Sequence, residues 1–85
     1  MMTHRVYSIY DSKAKLWLQP FFAVNSAVAL RMFERAANES GSDFNRFASD
    51  YSLFEIGEWD EVDGLVRANQ ANVSLGVAIE FLKES

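Results

Sequence analysis

Polar and apolar residues alternate near the start of the chain, and this period predicts strands. Residues 5–10 (RVYSIY) alternate between two faces and are rich in β-branched and aromatic side chains, which is typical of a strand. The polar residues 11–15 (DSKAK) predict a turn. A second strand is predicted at residues 21–24, after Pro20, because proline has no N–H to donate inside a central strand. The pattern does not assign residues 16–19.

The clearest periodic signal predicts an amphipathic helix over residues 26–38. Asn25 or Ser26 can cap it, because a short oxygen-bearing side chain accepts from the free N–H groups of a first helical turn. The apolar face comprises Ala29, Leu30, Phe33, Ala36 and Ala37, and the opposite face comprises Arg31, Glu34, Arg35 and Asn38. The apolar face is expected to pack on the sheet.

A hairpin is predicted in the second half of the chain. Residues 51–59 predict a strand, in which Gly57 marks a bulge or a close approach of another backbone. Residues 60–64 predict a turn, because the Asp-Gly sequence tolerates positive φ. Residues 65–69 predict the returning strand.

Two shorter helical segments complete the predicted elements. Residues 44–50 form either one helical turn or a loop, with Phe44 and Phe47 directed inward. Residues 72–85 favour a short C-terminal helix over a strand, although Gly76 costs about 1 kcal/mol relative to alanine in a helix. The apolar residues at helical spacing in this segment are Leu75, Ala78, Ile79 and Leu82.

Together these elements predict one α+β domain over residues 1–85. It has a small, mainly antiparallel sheet of about four strands, one amphipathic helix packed on it and a short C-terminal helix. A chain of 85 residues has material for one core only. Its 49% hydrophobic residues are enough to build that core without disulfides, and the chain has no cysteine.

Self-association is a further expectation, since small domains often gain stability as homo-oligomers. Val77 and Phe81 lie off the main apolar stripe of the predicted C-terminal helix. They either extend the apolar face to a partner subunit or belong to the core. They are the candidate oligomer interface.

Charge is unevenly distributed along the chain. The net charge is −4. Residues 1–47 contain six Lys or Arg against four acids, whereas residues 48–85 contain two against eight. Phosphate binding depends on Lys and Arg, so any anion-binding surface is predicted in the first half.

The acidic residues from Glu55 to Asp63 raise the question of a metal or catalytic site. A calcium-binding EF-hand loop needs Gly at its sixth position and Glu at its twelfth. With Asp60 as the first position, the twelfth residue is Ala71. Acid/base catalysis needs a carboxyl group in an apolar pocket, which a turn does not provide. A hairpin that ends in a solvated acidic turn explains these residues more simply.

The sequence contains no other catalytic constellation. His4 is the only histidine, cysteine is absent and neither glycine-rich phosphate-binding motif occurs. The chain is therefore expected to be non-enzymatic, with no catalytic residue, no metal ligand and no cofactor. The N-terminal segment predicts neither a signal peptide nor a membrane span, and a location in the cytoplasm without membrane contact is expected.

Basic and aromatic residues of the first half predict a surface for single-stranded DNA. Arg31 and Arg35 lie one helical turn apart, where a bound phosphate would relieve their repulsion. The candidate DNA-binding residues are Arg5, Lys13, Lys15, Arg31, Arg35 and Arg46 for phosphates, and Trp17 and Phe21 for stacking on bases. The alternative is an ordinary solvated face above an aromatic core.

Three short motifs, in this order, give the chain a family resemblance. They are Asp11-Ser12-Lys13-Ala14, Pro20-Phe21-Phe22 and residues 53–60 (LFEIGEWD). Together they resemble the small nonstructural DNA-binding protein of the gokushovirus branch of the microviruses, which are small single-stranded DNA phages. The resemblance covers nearly the whole chain.

The resemblance implies a phage protein of the host cytoplasm that associates with single-stranded DNA in the switch to single-strand synthesis or in packaging, without chemistry of its own. Within the matched motifs, Lys13, Phe21 and Phe22 are the implied contacts, and they equally fit a role in the fold. A net charge of −4 is unfavourable for a protein that binds DNA, so binding is expected to be weak or to depend on a homo-oligomer. The alternative is an adaptor that binds a phage replication or capsid protein through the acidic hairpin.

Overall fold

The computed structural model describes residues 3–83 and confirms the α+β fold. Its strands are β1 Thr3–Asp11, β2 Leu16–Trp17, β3 Phe21–Ala23, β4 Tyr51–Asp60 and β5 Leu65–Val77. Its helices are α1 Ser26–Asn38 and α2 Asp43–Arg46, with 3₁₀ helices at Ala48–Asp50 and Ala78–Phe81. Within residues 3–83, no helix is long and apolar enough to cross a membrane.

All five strands form one antiparallel sheet in which β1 is central. β4 pairs with one side of β1 and β5 pairs with β4. On the other side of β1, β3 pairs with residues 5–7 and β2 pairs with residues 10–11. Pro20 lies between these two short strands, as expected for a residue that cannot donate to the ladder. Between β2 and β3, the Leu18 carbonyl accepts from the Ser8 hydroxyl of β1 over 2.7 Å, and this bond holds the connecting segment against β1.

Helix α1 begins and ends as the periodicity predicts. The Asn25 side chain caps it by accepting from the N–H of Val28 over 3.0 Å. Ala29, Phe33 and Ala37 are buried along one face. This face packs on the sheet, because small residues allow a close approach and Phe33 fills the space between them.

The core lies between α1 and one face of the sheet. Tyr7 and Leu53, on the two central strands, have no exposed surface, and Phe33 of α1 is 1% exposed. Phe44 and Phe81 contact the Phe33 ring edge-on, with ring centroids 6.4 and 6.0 Å apart. The short elements before β4 and after β5 contact each other and close the core around Phe33.

The prediction that Phe47 points inward is wrong, whereas Phe44 packs against the core as expected. Phe47 is 47% exposed and ends helix α2. The next residue, Ala48, takes the buried position instead. The Arg46 guanidinium lies 5.2 Å from the centre of the Phe47 ring, so the exposed ring has a cation–π partner.

Among the described residues of the C-terminal segment, only Ala78–Phe81 are helical, and the predicted helix over the residues before them is wrong; residues 84 and 85 of that prediction lie outside the described residues. There β5 continues as a strand to Val77, paired with the start of β4. Gly76 has φ +143°, a value that no α-helix contains. Backbone pairing with β4 outweighs the helical spacing of apolar residues. The Asn38 amide then fixes the chain end by donating to the Phe81 carbonyl over 2.9 Å and accepting from the Lys83 N–H over 2.7 Å.

The β4 strand contains the bulge that Gly57 predicted. On the β1 side, Val6 pairs with Gly57 and Tyr7 pairs with Glu55, so Ile56 is an extra residue. On the β5 side, residues 69–72 loop out between the same two pairing blocks. A Cβ placed on Gly57 would lie 2.5 Å from the carbonyl oxygen of Arg67, so only glycine allows β5 to approach here.

We expect Gly57→Ala to lower the free energy of unfolding by about 1–3 kcal/mol, because the methyl group forces β4 and β5 apart. Chemical denaturation followed by circular dichroism measures this change. Gly64→Asn is the control, since Gly64 has φ +71° and open space around it, and asparagine tolerates this conformation. An equal loss of stability in both variants would contradict the close-approach explanation.

Candidate nucleic-acid interface

Helix α1 covers one face of the sheet, and no other element within residues 3–83 covers the second face. We call the second one the open face. Alternation along the strands and the strand register place on it His4, Val6, Ser8, Tyr10, Trp17, Phe22, Ser52, Phe54, Ile56, Gly57, Trp59, Val66, Ala68 and Ser74. These described residues include no Lys, Arg, Asp or Glu, so the open face consists of aromatic, aliphatic and small polar side chains.

The bulge at Ile56 determines this separation of charge. Before the bulge, Leu53 and Glu55 of β4 point toward α1, as their partners on β1 do. The extra residue reverses the alternation, because a shift of one position moves each following side chain to the other face. Trp59 therefore reaches the open face, and Glu58 lies on the same side as Arg5.

Three aromatic rings form one cluster on the open face, near the turn between β1 and β2. Trp17 lies with its ring centroid 5.0 Å from those of both Tyr10 and Phe54. The Trp17 side chain is nevertheless 45% exposed, so part of its ring is free to contact a ligand. We call Tyr10, Trp17 and Phe54 the lysine-side cluster.

The turn beside this cluster carries Lys13 and Lys15. The Asp11 carboxylate accepts from the N–H groups of Lys13 and Ala14 over 3.0 and 3.2 Å, which fixes the turn. Lys15 has φ +60°, and the turn pairs Tyr10 with Trp17 across the strands. Both lysine side chains are exposed, and neither has a carboxylate within 4.0 Å among the described residues. Two exposed lysines therefore lie in the turn that precedes an exposed aromatic ring, and Lys13 also lines a cleft of about 400 Å³ with Asp11, Phe47, Asp50 and Tyr51 on the helical side.

A second cluster lies on the open face near the β4–β5 hairpin. The Trp59 ring has its centroid 5.8 Å from that of His4 and 5.9 Å from that of Phe22. We call these three residues the hairpin-side cluster. A shallow cleft of about 360 Å³, lined by Ser8 and Ile56 among others, lies between the two clusters.

Arg5 and Phe21 are directed to the side of α1 rather than to the open face. Arg5 is within 3.6 Å of the Glu55 carboxylate and 3.9 Å of the Glu58 carboxylate, so its charge is neutralised locally. Phe21 is half-buried, with its ring stacked on Tyr7 at 5.8 Å. The neighbouring Phe22 is the exposed ring of this pair.

Arg31, Arg35 and Arg46 lie on the helical side of the protein, away from Trp17. Arg31 and Arg35 line a cleft of about 650 Å³ together with Lys83 and the acids Glu34 and Glu39. Arg46 is on α2 beside Phe47. Of the predicted DNA-binding residues, Lys13 and Lys15 lie in the turn that precedes Trp17, with Lys13 also lining the cleft beside Phe47, whereas Arg5, Phe21, Arg31, Arg35 and Arg46 lie on the helical side.

The two predicted interface residues occupy different environments. The Phe81 ring packs on Phe33 and fills the space beside Gly76, where an added Cβ would lie 2.8 Å from it. Val77 is half-buried at the end of β5, opposite Ser52. An interface at these residues remains a prediction.

The acidic turn is held together by its own carboxylates. Asp60 accepts from the N–H of Val62 over 2.8 Å, and Asp63 accepts from that of Leu65 over 3.0 Å. The Arg67 guanidinium donates to Asp63 over 2.6 Å, and this bond lowers the pKa of the Asp63 carboxyl group. Within residues 3–83, no three His, Cys, Asp or Glu side chains are grouped as metal ligands would be.

Sequence reasoning missed Tyr10, Phe54 and Trp59 as surface aromatics. The alternation of β1 placed Tyr10 with Val6 and Ser8, but the pattern did not show which face of the sheet lacks a covering layer. The bulge at Ile56 reverses the alternation of the side chains that follow it, so the pattern did not show that Trp59 lies on the open face. The available signal was Gly57, because a glycine that interrupts the alternation of a strand can mark a bulge.

Comparisons with known proteins place the chain in one family. Searches of curated proteins and of solved structures found no match. Residues 4–81, nearly the whole chain, match the family described as Phage ORF5 protein. The chain belongs to this family of phage proteins.

Proposed function

We propose that this phage protein associates with single-stranded DNA through the lysine-side cluster. The observation that carries the proposal is the exposed Trp17 ring, on a sheet face without carboxylates among the described residues, directly after the turn that carries the exposed Lys13 and Lys15. A base stacks on the ring while the lysines contact the phosphates on either side of it, which is the arrangement that single-strand binders use. Duplex DNA hides its bases, so it would lose the stacking contact.

The finer assignment follows the resemblance to the gokushovirus nonstructural proteins. The protein acts in the host cytoplasm on the viral genome, in the switch to single-strand synthesis or in packaging. It is not an enzyme and needs no cofactor. The phage family supports the viral context, and the charge-free aromatic face supports contact with unpaired bases.

The magnitudes indicate weak binding by one protomer. Stacking of one base on an aromatic side chain contributes about 1–3 kcal/mol. Two lysines neutralise at most two phosphates, and the net charge of −4 opposes the approach of DNA. A useful affinity in the cell therefore requires more than one protomer on the same strand, which agrees with the expected homo-oligomer.

We expect Trp17→Ala to weaken binding of a short single-stranded oligonucleotide by about tenfold, because one stacking platform is removed. Fluorescence anisotropy measures the affinity. Trp59→Phe is the matched control: it leaves the lysine-side cluster intact and makes Trp17 the only tryptophan. DNA should quench the fluorescence of that variant, and an unchanged emission under saturating DNA would contradict stacking on Trp17.

A double substitution of the turn lysines, Lys13→Ala with Lys15→Asn, should reduce the slope of log affinity against log salt by about 1.4, since each phosphate contact on a single strand contributes about 0.7. Asparagine is used because position 15 has positive φ. The matched pair is Arg31→Ala with Arg35→Ala, which also removes two cations but lies on the helical side. A reduced slope for the arginine pair alone would place DNA on α1 instead.

An adaptor function is the second candidate, favoured by the exposed Val62 among the carboxylates of the β4–β5 turn. This turn lies at the end of the sheet, free to enter a basic, partly apolar groove of a phage replication or capsid protein. Glu61→Lys is the sharpest variant, because Asp60 and Asp63 also hold the turn together. If the adaptor function holds, Glu61→Lys abolishes pull-down of phage proteins while DNA affinity stays the same or rises. Unchanged pull-down argues against it.

A further inference from the structure

The hairpin-side cluster is an apolar surface that the lysine-side contacts do not use. Phe22 is 54% exposed at its edge, and Val66 of β5 lies opposite Trp59 and is also exposed. His4 completes the cluster from the centre of the sheet. No described element of the protomer covers these side chains.

Its surroundings disfavour a nucleic acid. The adjacent hairpin carries Glu58 and the four residues from Asp60 to Asp63, three of which are acidic. Among the described residues, Arg5 pairs with Glu58 and Arg67 pairs with Asp60 and Asp63, so these acids are only partly neutralised. The turn lysines lie roughly 20 Å away, as the spacing from His4 to Tyr10 on one strand implies. A phosphate at this end would meet acids within a Debye length and no unpaired cation.

We propose that a second copy of this chain covers the hairpin-side cluster, in a two-fold symmetric dimer that packs open face on open face. The bulge at Ile56 turns Glu58 toward the side of α1, so two such faces meet without burying a carboxylate. A patch with no charge is complementary to itself, whereas a different partner is usually selected by matched charges.

The available area fits a weak dimer. The described part of the protein measures 44 × 25 × 17 Å. Half of the broad face, the half that holds the hairpin-side cluster, is on the order of 500 Å² per copy. The pair would bury about 1,000 Å², the lower limit for a specific interface. The dimer should therefore form and dissociate within the micromolar range.

The two-fold dimer also has a consequence for DNA binding, and this consequence rests on the proposed function. Packing around the hairpin-side cluster leaves the lysine-side cluster of each copy free, at the two far ends of the dimer. One strand of DNA that spans both ends binds bivalently, which raises its apparent affinity on the order of 100-fold over a strand that reaches only one. Weak single contacts then suffice.

The test compares two phenylalanine substitutions of similar exposure. Phe22→Glu introduces a charge into the proposed contact, and Phe47→Glu introduces the same charge on the helical side, at a position 47% exposed. Sedimentation velocity from about 1 to about 200 µM, a range chosen to bracket a weak interface, follows the change from the 9.7 kDa monomer to a dimer. We expect wild type and Phe47→Glu to dimerise and Phe22→Glu to stay monomeric. Circular dichroism checks folding, and Val66→Glu replaces Phe22→Glu if that variant is unfolded.

Two results would overturn the dimer: a wild type that is monomeric throughout, or a dimer that Phe22→Glu and Val66→Glu leave intact. DNA titrations separate this proposal from the proposed function. Phe22→Glu should weaken binding of a long oligonucleotide but not of a short one. If it weakens the short one as Trp17→Ala does, Phe22 contacts DNA and the dimer assignment is wrong. Dimerisation lost in Phe22→Glu, with no DNA binding by wild type, supports the dimer and rejects the proposed function alone.

Discussion

The packing of α1 against Tyr7 and Leu53 is the contact on which the rest of the structure depends. These two side chains, on adjacent central strands, are completely buried beneath Phe33 and its neighbouring alanines. Because residues 3–83 contain only one long helix, one face of the sheet receives a covering layer and the other does not. The surfaces available to a ligand or partner on the sheet are therefore the uncovered face and the turns at its ends.

One extra residue then controls the chemistry of that face. With regular alternation, Glu58 would have projected onto the open face and Trp59 toward α1. The bulge at Ile56 exchanges them, and Gly57 permits the backbone of β5 to approach the bulge closely. The result is an aromatic face without carboxylates in a protein whose net charge is −4. A small acidic protein can in this way present an uncharged aromatic surface, because the acids of β4 before the turn lie on the other side of the sheet.

The two aromatic clusters share this face but differ in their surroundings. Trp17 has lysines beside it, and the Trp59 ring is next to an acidic hairpin. Salt screens the interaction between exposed charges over about 8 Å at physiological ionic strength, so two ends roughly 20 Å apart can attract different ligands. The proposed DNA contact at one end and the proposed dimer contact at the other rest on this difference in charge.

Local patterns by themselves determined much of this protein. The 3.6-residue period of residues 26–38, with its asparagine cap, defined α1, and the alternation of residues 5–10 defined β1, because such periods reflect one-sided burial. Gly57 marked the bulge. Only the tertiary structure decided that residues 72–77 are strand, because pairing with β4 is a long-range interaction that local spacing does not encode. It also decided which aromatic residues are exposed. The exposure of the aromatic residues depends on which face α1 covers and on the reversed alternation after the bulge at Ile56. Neither is a property of a single segment. The same limit separated Arg31 and Arg35 from Trp17: their positions along the chain suggested one surface, and the packing of α1 placed them on opposite sides of the sheet.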